Sequence, residues 1–242
     1  MCVLAILADM LPGYPLIVAA NRDEFYSRES AAPAELRPGI VAGQDLAAGG
    51  TWLGVNRHGL VAAVTNRGAP PRSPEKRSRG LLCLEALAQS DPDGAASFVE
   101  RAVKDAGYAG FNMILARGAG GVCLQYDGAL RAAPFGRGVH VVSTNRDLDE
   151  AEMPELSHLQ GSLRLGSDLP ELWEDLRWAL SSHEESSGPI CKHSDLFGTV
   201  SSTILAASAQ GVDRGRLWHC NSAPCTRVFE DRTPLLRDLK QR

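Results

Sequence analysis

The sequence lacks several features that would assign it at once to a common class. No apolar run reaches the roughly 20 residues that a membrane-spanning helix needs, and no G-x-G-x-x-G or P-loop motif is present. The net charge of −4 and the pI of about 5.9 argue against a general nucleic-acid binder. The first twenty residues have no basic segment and break at Pro12-Gly13, which argues against a signal peptide. We therefore expect a soluble, cytoplasmic protein.

A recognisable metal signature is also missing. The six cysteines fit a reducing compartment, where a chain of 242 residues needs no disulfides. The cluster along the chain that comes nearest to a metal site is Cys191, His193, His219, Cys220 and Cys225. Its spacing matches no structural zinc motif, so we expect no metal site and no required cofactor.

Turn residues and apolar runs predict two β-hairpins in the first seventy residues. Residues 2–9 and 15–20 are apolar runs joined by Pro12-Gly13, a strong turn signal. If Leu11 and Tyr14 close the turn, cross-strand partners have numbers that sum to about 25, and Cys2 lies opposite a residue near Asp23. A second hairpin joins 51–55 to 60–65, and its open end carries Asn66.

The rest of the chain groups helices with helices and strands with strands. Helices are predicted at 79–90, 92–106 and 170–183, the second starting at Asp91 and Pro92. Strands are predicted at 111–117, 121–127, 138–144, 199–207, 215–220 and 226–230. Because no regular β-α-β alternation appears, a doubly wound parallel sheet is disfavoured. We expect an α+β fold, a four-layer αββα sandwich of two mainly antiparallel sheets, with residues 1–242 forming a single domain.

Cys2 has the most distinctive chemical potential in the chain. If Met1 is removed, Cys2 carries both a thiol nucleophile and a free α-amine, whose pKa of about 7.7–8.0 suits a base at neutral pH. The alternative is a small core residue, since free cysteine is commonly buried.

Four apolar strands end in polar residues, as the rim of an active site would require. The segments are Met1-Cys2, Asn21-Arg22-Asp23-Glu24, Val64-Thr65-Asn66-Arg67 and Ser143-Thr144-Asn145-Arg146-Asp147. Such residues also punctuate strand ends without any further role. Simple punctuation of strand ends is a weaker explanation when all four segments occur together with a cysteine directly after Met1.

The residues Met1-Cys2-Val3-Leu4 followed by Asn21-Arg22-Asp23-Glu24-Phe25 resemble the NRDE family, which includes the transport and Golgi organization protein 2 proteins. The stretch Gly49-Gly50-Thr51-Trp52-Leu53-Gly54-Val55-Asn56, the pair Gly59-Leu60, and the motifs Thr65-Asn66-Arg67 and Ser143-Thr144-Asn145 extend the match. The resemblance implies an N-terminal-nucleophile (Ntn) hydrolase type of αββα fold, close to choloylglycine hydrolase and penicillin V acylase.

The resemblance also implies roles for individual residues. Cys2 would be the nucleophile and its own amine the base, with Asp23 holding the amine and Arg22 favouring the thiolate. Asn66 and Asn145 would donate hydrogen bonds to the oxyanion. The residues expected to bind the substrate are Asn21, Glu24 and Arg67.

One departure from the acylases concerns the two charged residues of the second strand. The acylases separate their Arg and Asp by two residues, whereas Arg22 and Asp23 are adjacent. Neighbours on a regular strand face opposite sides of a sheet, so both reach Cys2 only if the strand bends or ends there. The acylases also carry a late Arg, for which Arg227 is a candidate counterpart.

The expected function is hydrolysis of a linear amide or related acyl bond. The family is also connected with haem trafficking and with lipid or acyl-CoA metabolism, so a non-catalytic carrier of haem or acyl-CoA on the same scaffold is the alternative. The loop after Asn66 carries a run of cations that could hold a carboxylate, a haem propionate or a CoA phosphate, or could simply be solvated: Arg67, Arg72, Lys76, Arg77 and Arg79. A pure interaction protein is a third class, and the sequence assigns no oligomeric state.

Overall fold

Two antiparallel β-sheets form the centre of the molecule in this computed structural model, which describes residues 2–68, 76–164, 166, 168–184 and 190–239. Within these residues, the first sheet has the strand order β10 (Gly138–Ser143), β1 (Val3–Leu11), β2 (Tyr14–Phe25), β11 (Phe197–Ala207), β12 (Arg216–Cys220) and β13 (Glu230–Asp231). The second has the order β3 (Ser30–Arg37), β4 (Ile40–Asp45), β5 (Leu53–Asn56), β6 (Val61–Asn66), β7 (Phe111–Arg117), β8 (Gly120–Tyr126) and β9 (Leu130–Phe135).

Helices cover the outer face of each sheet. The helices are α1 (Arg79–Ala86) and α2 (Pro92–Asp105) on the second sheet, α3 (Pro154–Ser162) and α4 (Leu169–Leu180) on the first, and a short α5 (Pro234–Asp238) near the end of the chain. Asp91 caps α2 by accepting a hydrogen bond from the backbone of Gly94 at 2.8 Å, and Pro92 follows at the first helical position, as predicted. In the described part of the chain, no helix is long and apolar enough to cross a membrane.

Two helical layers and two sheets make four structural layers, and a layer of apolar side chains fills each of the three spaces between them. Alternation along β1 separates them: Leu4 and Ile6 enter the core between the sheets, whereas Val3 and Leu7 face α3 and α4. The third apolar layer packs the second sheet against α1 and α2. The predicted αββα sandwich of antiparallel sheets is therefore confirmed.

The first hairpin has the predicted turn and a bulge that the sequence did not indicate. Leu11 pairs with Tyr14, as predicted, but the register shifts between Ala8 and Leu11, and Asp9 has a left-handed φ of 53°. Beyond the bulge, Val3 pairs with Asn21, so partner numbers sum to 24 and not 25. Continued by one residue, this register brings Cys2 opposite Arg22, one position from the predicted partner.

Several elements have no counterpart in the sequence predictions. Strands β3, β4 and β9 and helix α3 were not predicted, and β13 is shorter than the predicted strand at 226–230. Pro33 lies within β3, which is tolerated because β3 is the edge strand of its sheet. An internal proline weakens the sequence signal of a strand, so the alternation there is hard to recognise.

Candidate active site

A cavity of about 310 Å³ opens at the end of the sandwich where β1 begins and β2 and β6 end. Its lining includes Cys2, Arg22, Asp23, Glu24 and Asn66. We call it the Cys2 cavity. Strands from both sheets contribute, because β1 and β2 belong to the first sheet and β6 to the second.

The backbone around Cys2 is held by the end of β10. The Cys2 N–H donates to Thr144 Oγ1 at 2.8 Å, and the Thr144 N–H donates to the Cys2 carbonyl at 3.0 Å. Burial raises the pKa of the Cys2 thiol above its ordinary value of 9.0, and the Asp23 carboxylate adds to the rise. The thiol is therefore largely protonated at neutral pH, and its reactivity depends on a nearby base.

Asp23 is a buried carboxylate with two polar partners from one neighbouring segment. Its side chain accepts a hydrogen bond from Thr199 Oγ1 at 2.7 Å, and Lys192 Nζ lies 3.3 Å from its other oxygen. Burial raises the pKa of Asp23, while Lys192 and Thr199 oppose the rise. Neither partner was identified from the sequence, because nothing in the pattern around residues 192 and 199 points to β2.

Arg22 and Asp23 both line the cavity although they are neighbours on one strand. The pairing of β2 with β11 shifts between Thr199 and Ser201, opposite this pair. Such an irregularity bends a strand locally and lets adjacent side chains reach the same space. The Arg22 guanidinium stacks over the Trp52 ring, with 4.7 Å to the ring centroid, and donates to Ser30 Oγ at 3.3 Å.

The two asparagines expected at the oxyanion occupy different environments. Asn66 lines the Cys2 cavity, whereas Asn145 is exposed and is absent from the lining in the described part of the chain. The Asn145 N–H donates to the Asn66 carbonyl at 3.2 Å, so their backbones are adjacent. Asn145 also adopts a left-handed φ of 66°, a conformation that asparagine tolerates well. The structure therefore places Asn66 in the lining of the Cys2 cavity and leaves the Asn145 side chain outside that lining.

Two of the three residues expected to bind substrate have other surroundings. Asn21 is 1% exposed, and its amide donates to the carbonyls of Leu180 and Ile190 at 2.8 and 3.0 Å, on the helix-covered face of the sheet. Asn21 faces away from the cavity because side chains alternate along β2.

Arg67 also lies elsewhere, since it forms an ion pair with Asp147 at 2.5 Å and donates to Asn112 Oδ1 at 3.2 Å. Of the three, Glu24 does line the cavity, where its carboxylate lies 3.5 Å from Arg28. Arg227, the candidate for the late acylase Arg, is exposed and is not part of the lining among the described residues.

A basic rim completes the cavity. The rim comes from the segment that leads into α1 and consists of Lys76, Arg77 and Arg79. The cation Arg72 lies outside the described residues. Gly50 and Gly80 allow this segment to approach β5, because a Cβ on Gly50 would lie 2.2 Å from the Gly80 carbonyl carbon. Together with Arg22 and Arg28, the rim gives the cavity five cationic side chains among the described residues, against the acids Asp23, Glu24 and Asp45.

Comparison with solved structures identifies the class of fold. Over 85% of this chain and 92% of the other, the fold matches a Caenorhabditis elegans N-acylethanolamine-hydrolyzing acid amidase ortholog with a TM-score of 0.57 and 12% identity. A variant of the conjugated bile acid hydrolase from Clostridium perfringens matches over 96% of both chains with a TM-score of 0.50 and 10% identity. The chain thus has an Ntn-hydrolase-type fold.

The family follows from sequence comparison. A family model described as Transport and Golgi organisation 2 matches residues 1–165, and the chain belongs to this family. The mouse Transport and Golgi organization 2 homolog is 38% identical over 129 residues, and the Drosophila melanogaster protein is 32% identical over 127. These matches cover 48% and 47% of this chain, and the chain spans only 45% of the length of each relative.

Proposed function

We propose that the chain is an N-terminal-nucleophile cysteine hydrolase of a linear amide or related acyl bond. The observation that carries the proposal is the Cys2 thiol in a cavity whose lining also includes Arg22, Asp23 and Asn66. The fold shared with amide hydrolases supports this reading, although a shared fold alone does not determine chemistry.

The proposed reaction starts once Met1 has been removed and the Cys2 nitrogen is a free amine. Because burial raises the pKa of the Cys2 thiol above its ordinary value, the thiol is largely protonated at neutral pH, so a base must take the proton. The amine accepts the thiol proton, and the sulfur attacks the carbonyl carbon to form a tetrahedral intermediate. The amine then protonates the leaving nitrogen, and water hydrolyses the resulting thioester to release the acid and regenerate the thiol.

The surrounding residues have distinct parts in this scheme. Thr144 Oγ1, 2.8 Å from the Cys2 nitrogen, orients the amine, and Asp23 stabilises its protonated form. Asn66 donates to the oxyanion of the intermediate. Arg22 stabilises developing negative charge on sulfur, since its positive charge lowers the thiol pKa against the larger effect of burial.

The rim and the size of the cavity point to a class of substrate. About 310 Å³ lies at the small end of ligand pockets, which suits the amide and a short polar group better than a large rigid ligand. Lys76, Arg77 and Arg79 favour a group that carries a carboxylate or phosphate. N-acyl amides with an anionic terminus are therefore the first substrates to test.

A hydrolysis assay on such amides, with and without the anionic terminus, tests the proposal. We expect release of the acid by Met1-free protein, no release by the C2A variant, and faster turnover of the anionic substrates. Activity that survives C2A at the wild-type level would refute the proposed nucleophile.

The basic rim also supports a second candidate function, a carrier that holds the anionic groups of haem or acyl-CoA at the mouth of this cavity without turnover. A carrier needs anion-binding groups but no nucleophile, so Arg79→Ala should weaken binding and C2A should not. Spectral titration with haem and calorimetric titration with acyl-CoA measure this. Absence of saturable binding at micromolar ligand would exclude the carrier.

A further inference from the structure

Four side chains with metal-binding atoms meet outside the Cys2 cavity. His183 follows α4, Cys191 and His193 precede β11, and Cys225 follows β12. One donor atom from each lies within 4.8 Å of the other three. We call this group the His/Cys cluster. It includes His183, which spacing along the chain did not suggest, and it leaves out His219 and Cys220.

Three distances within the His/Cys cluster are close to those of a tetrahedral zinc site. Cys191 Sγ lies 3.6 Å from Cys225 Sγ and 3.6 Å from His193 Nε2, and His193 Nε2 lies 3.2 Å from Cys225 Sγ. With Zn–S near 2.3 Å and Zn–N near 2.0–2.1 Å, ideal tetrahedral geometry separates ligand atoms by about 3.3–3.8 Å. Three of the four donors therefore already span one face of such a tetrahedron, and a donor atom of His183 lies within 4.8 Å of each of them.

His183 makes a hydrogen bond of the kind that metal-binding histidines make. Its Nδ1 lies 3.0 Å from the Cys191 carbonyl, and because a carbonyl oxygen only accepts, Nδ1 is the donor and Nε2 is the nitrogen available to a metal ion. Zinc-bound imidazoles characteristically donate their second N–H to a carbonyl or carboxylate. Here the carbonyl belongs to another member of the same cluster.

The backbone that carries the cluster is held in place by buried hydrogen bonds. The Cys191 N–H donates to the Ser182 carbonyl at 2.9 Å, which joins the segments that carry His183 and Cys191. The Asn21 amide donates to Leu180 and Ile190, so β2 holds both segments from the other side. Such a prearranged set needs little reorganisation to accept an ion.

We propose that His183, Cys191, His193 and Cys225 bind one Zn²⁺ in a closed, tetrahedral, structural site. Two thiolates and two imidazoles in tetrahedral array are the donor set that zinc prefers, and four protein ligands leave no open position for catalysis. On binding, the two thiols lose their protons to solvent and the ion takes their place. The proposal is independent of the proposed hydrolase.

The site would also act on the Cys2 cavity through Lys192, which stands between two of the ligands. Lys192 Nζ lies 3.3 Å from Asp23, and the Lys192 N–H donates to Thr199 Oγ1, which in turn donates to Asp23. An ion held by Cys191 and His193 would therefore help to hold Lys192 and Thr199 beside the buried carboxylate. The structure thus joins a stabilising site to a candidate catalytic one.

Metal analysis of the untagged 242-residue chain tests the proposal, with Co²⁺ as a spectroscopic probe. We expect one Zn²⁺ per chain after loading and dialysis, and visible Co²⁺ bands typical of tetrahedral coordination with thiolate-to-metal charge transfer. Cys225→Ser, a substitution at an exposed position, should weaken binding by at least ~100-fold. His58→Gln and C2A, which remove donors outside the His/Cys cluster, should bind as the wild type does.

Three outcomes would overturn the proposal. The first is a chain that retains no Zn²⁺ and gives no tetrahedral Co²⁺ spectrum. The second is a Cys191–Cys225 disulfide in protein purified and loaded under reducing conditions, since its S–S bond of about 2.05 Å would consume both sulfur ligands. The third is a Cys225→Ser variant that binds Co²⁺ with wild-type affinity and spectrum.

Discussion

The Cys2 cavity and the His/Cys cluster both depend on cysteine, yet they are built in opposite ways. The cavity uses residues at the ends of paired strands, whose positions follow from sheet register. The cluster uses residues in connecting segments that meet only when α4, β11 and β12 are packed together. Its cysteines lie close enough to share an ion, whereas Cys2 has Arg22 and Asp23 as neighbours. In the roles proposed above, the Cys2 thiol reacts with a substrate and the two thiols of the His/Cys cluster bind a metal ion.

The largest expected effect comes from variants that distinguish the role of the Cys2 thiol from the role of its amine. C2A should lower hydrolysis by ~10⁴-fold or more, and one alanine inserted between Met1 and Cys2 should do nearly the same, because it retains the thiol but removes the free amine. Initial rates on the best amide substrate measure both variants.

Metal binding at the His/Cys cluster is the control for these variants, and it should be unchanged. Full activity of the insertion variant would contradict the role of the amine as the base. Cys2 would then act as a nucleophile through its thiol alone.

The next effect distinguishes the two asparagines. Asn66→Ala should lower kcat by about 10²–10³-fold, since it removes a donor that lines the cavity. Asn145→Gly should stay within about threefold, because the side chain is exposed and glycine accepts the φ of 66°. Steady-state kinetics with KM and kcat separated provide the measurement. Equal losses of kcat in the two variants would show that a position in the cavity lining does not identify the residue that donates to the oxyanion.

A third effect tests how β2 supports the His/Cys cluster. Asn21→Ala removes the donor to two buried carbonyls and should cost about 1–3 kcal/mol in the free energy of unfolding. Urea denaturation measures the loss, with Asn145→Gly as a matched control expected within about 0.5 kcal/mol. Cobalt binding should weaken only in the Asn21 variant. A stability equal to the wild type would mean that these hydrogen bonds do not hold the segment.

A smaller effect probes the link between the two regions. Lys192→Met keeps the length of the side chain but removes the charge beside Asp23, so we expect kcat/KM to fall by roughly tenfold while Co²⁺ binding persists. Lys104→Met, on the exposed face of α2, is the control and should leave both unchanged. Wild-type activity in Lys192→Met would show that the two regions are only neighbours.

The smallest effect concerns pH and the strand β10, which ends directly before Thr144. The hydrogen bond to Asp149 raises the pKa of His140 above 6.5, so protonated His140 is favoured in the folded state. The resulting stabilisation is fully present below pH 6.5 and is lost as pH rises through the raised value. Wild type and His140→Gln should therefore differ by up to ~1 kcal/mol at pH 6 and by less at pH 8.5 in urea denaturation. If the difference in the free energy of unfolding between the two proteins grows with pH, protonated His140 is not the form that the folded state favours.

Much of the Cys2 cavity could be predicted from sequence because hairpins are local. Pro12-Gly13 sets the turn, and the turn sets the register to within one residue of the observed pairing. That one residue matters, since a slip exchanges the two faces of a strand, and the bulge at Asp9 has no clear sequence signal. The same one-residue error in register explains Asn21, which was expected to bind a ligand but lies on the helix-covered face of the sheet, away from the Cys2 cavity.

The partners of Asp23 and the members of the His/Cys cluster could not be predicted in the same way. Lys192 and Thr199 are far from Asp23 in sequence and reach it only because β11 pairs with β2. The cluster combines three separate segments, so its spacing along the chain carries no regular motif. Thr144 is an intermediate case, because it lies inside the quoted Ser143-Thr144-Asn145 motif but its role follows from the pairing of β10 with β1.

Intact mass spectrometry before and after treatment with an acyl-trapping electrophile is the decisive test of Cys2 as the nucleophile. We expect a chain that has lost Met1 and gains a single adduct, which peptide mapping places on Cys2 and not on Cys191 or Cys225. A chain that retains Met1, or Met1-free protein that leaves Cys2 unlabelled, would contradict the proposed nucleophile.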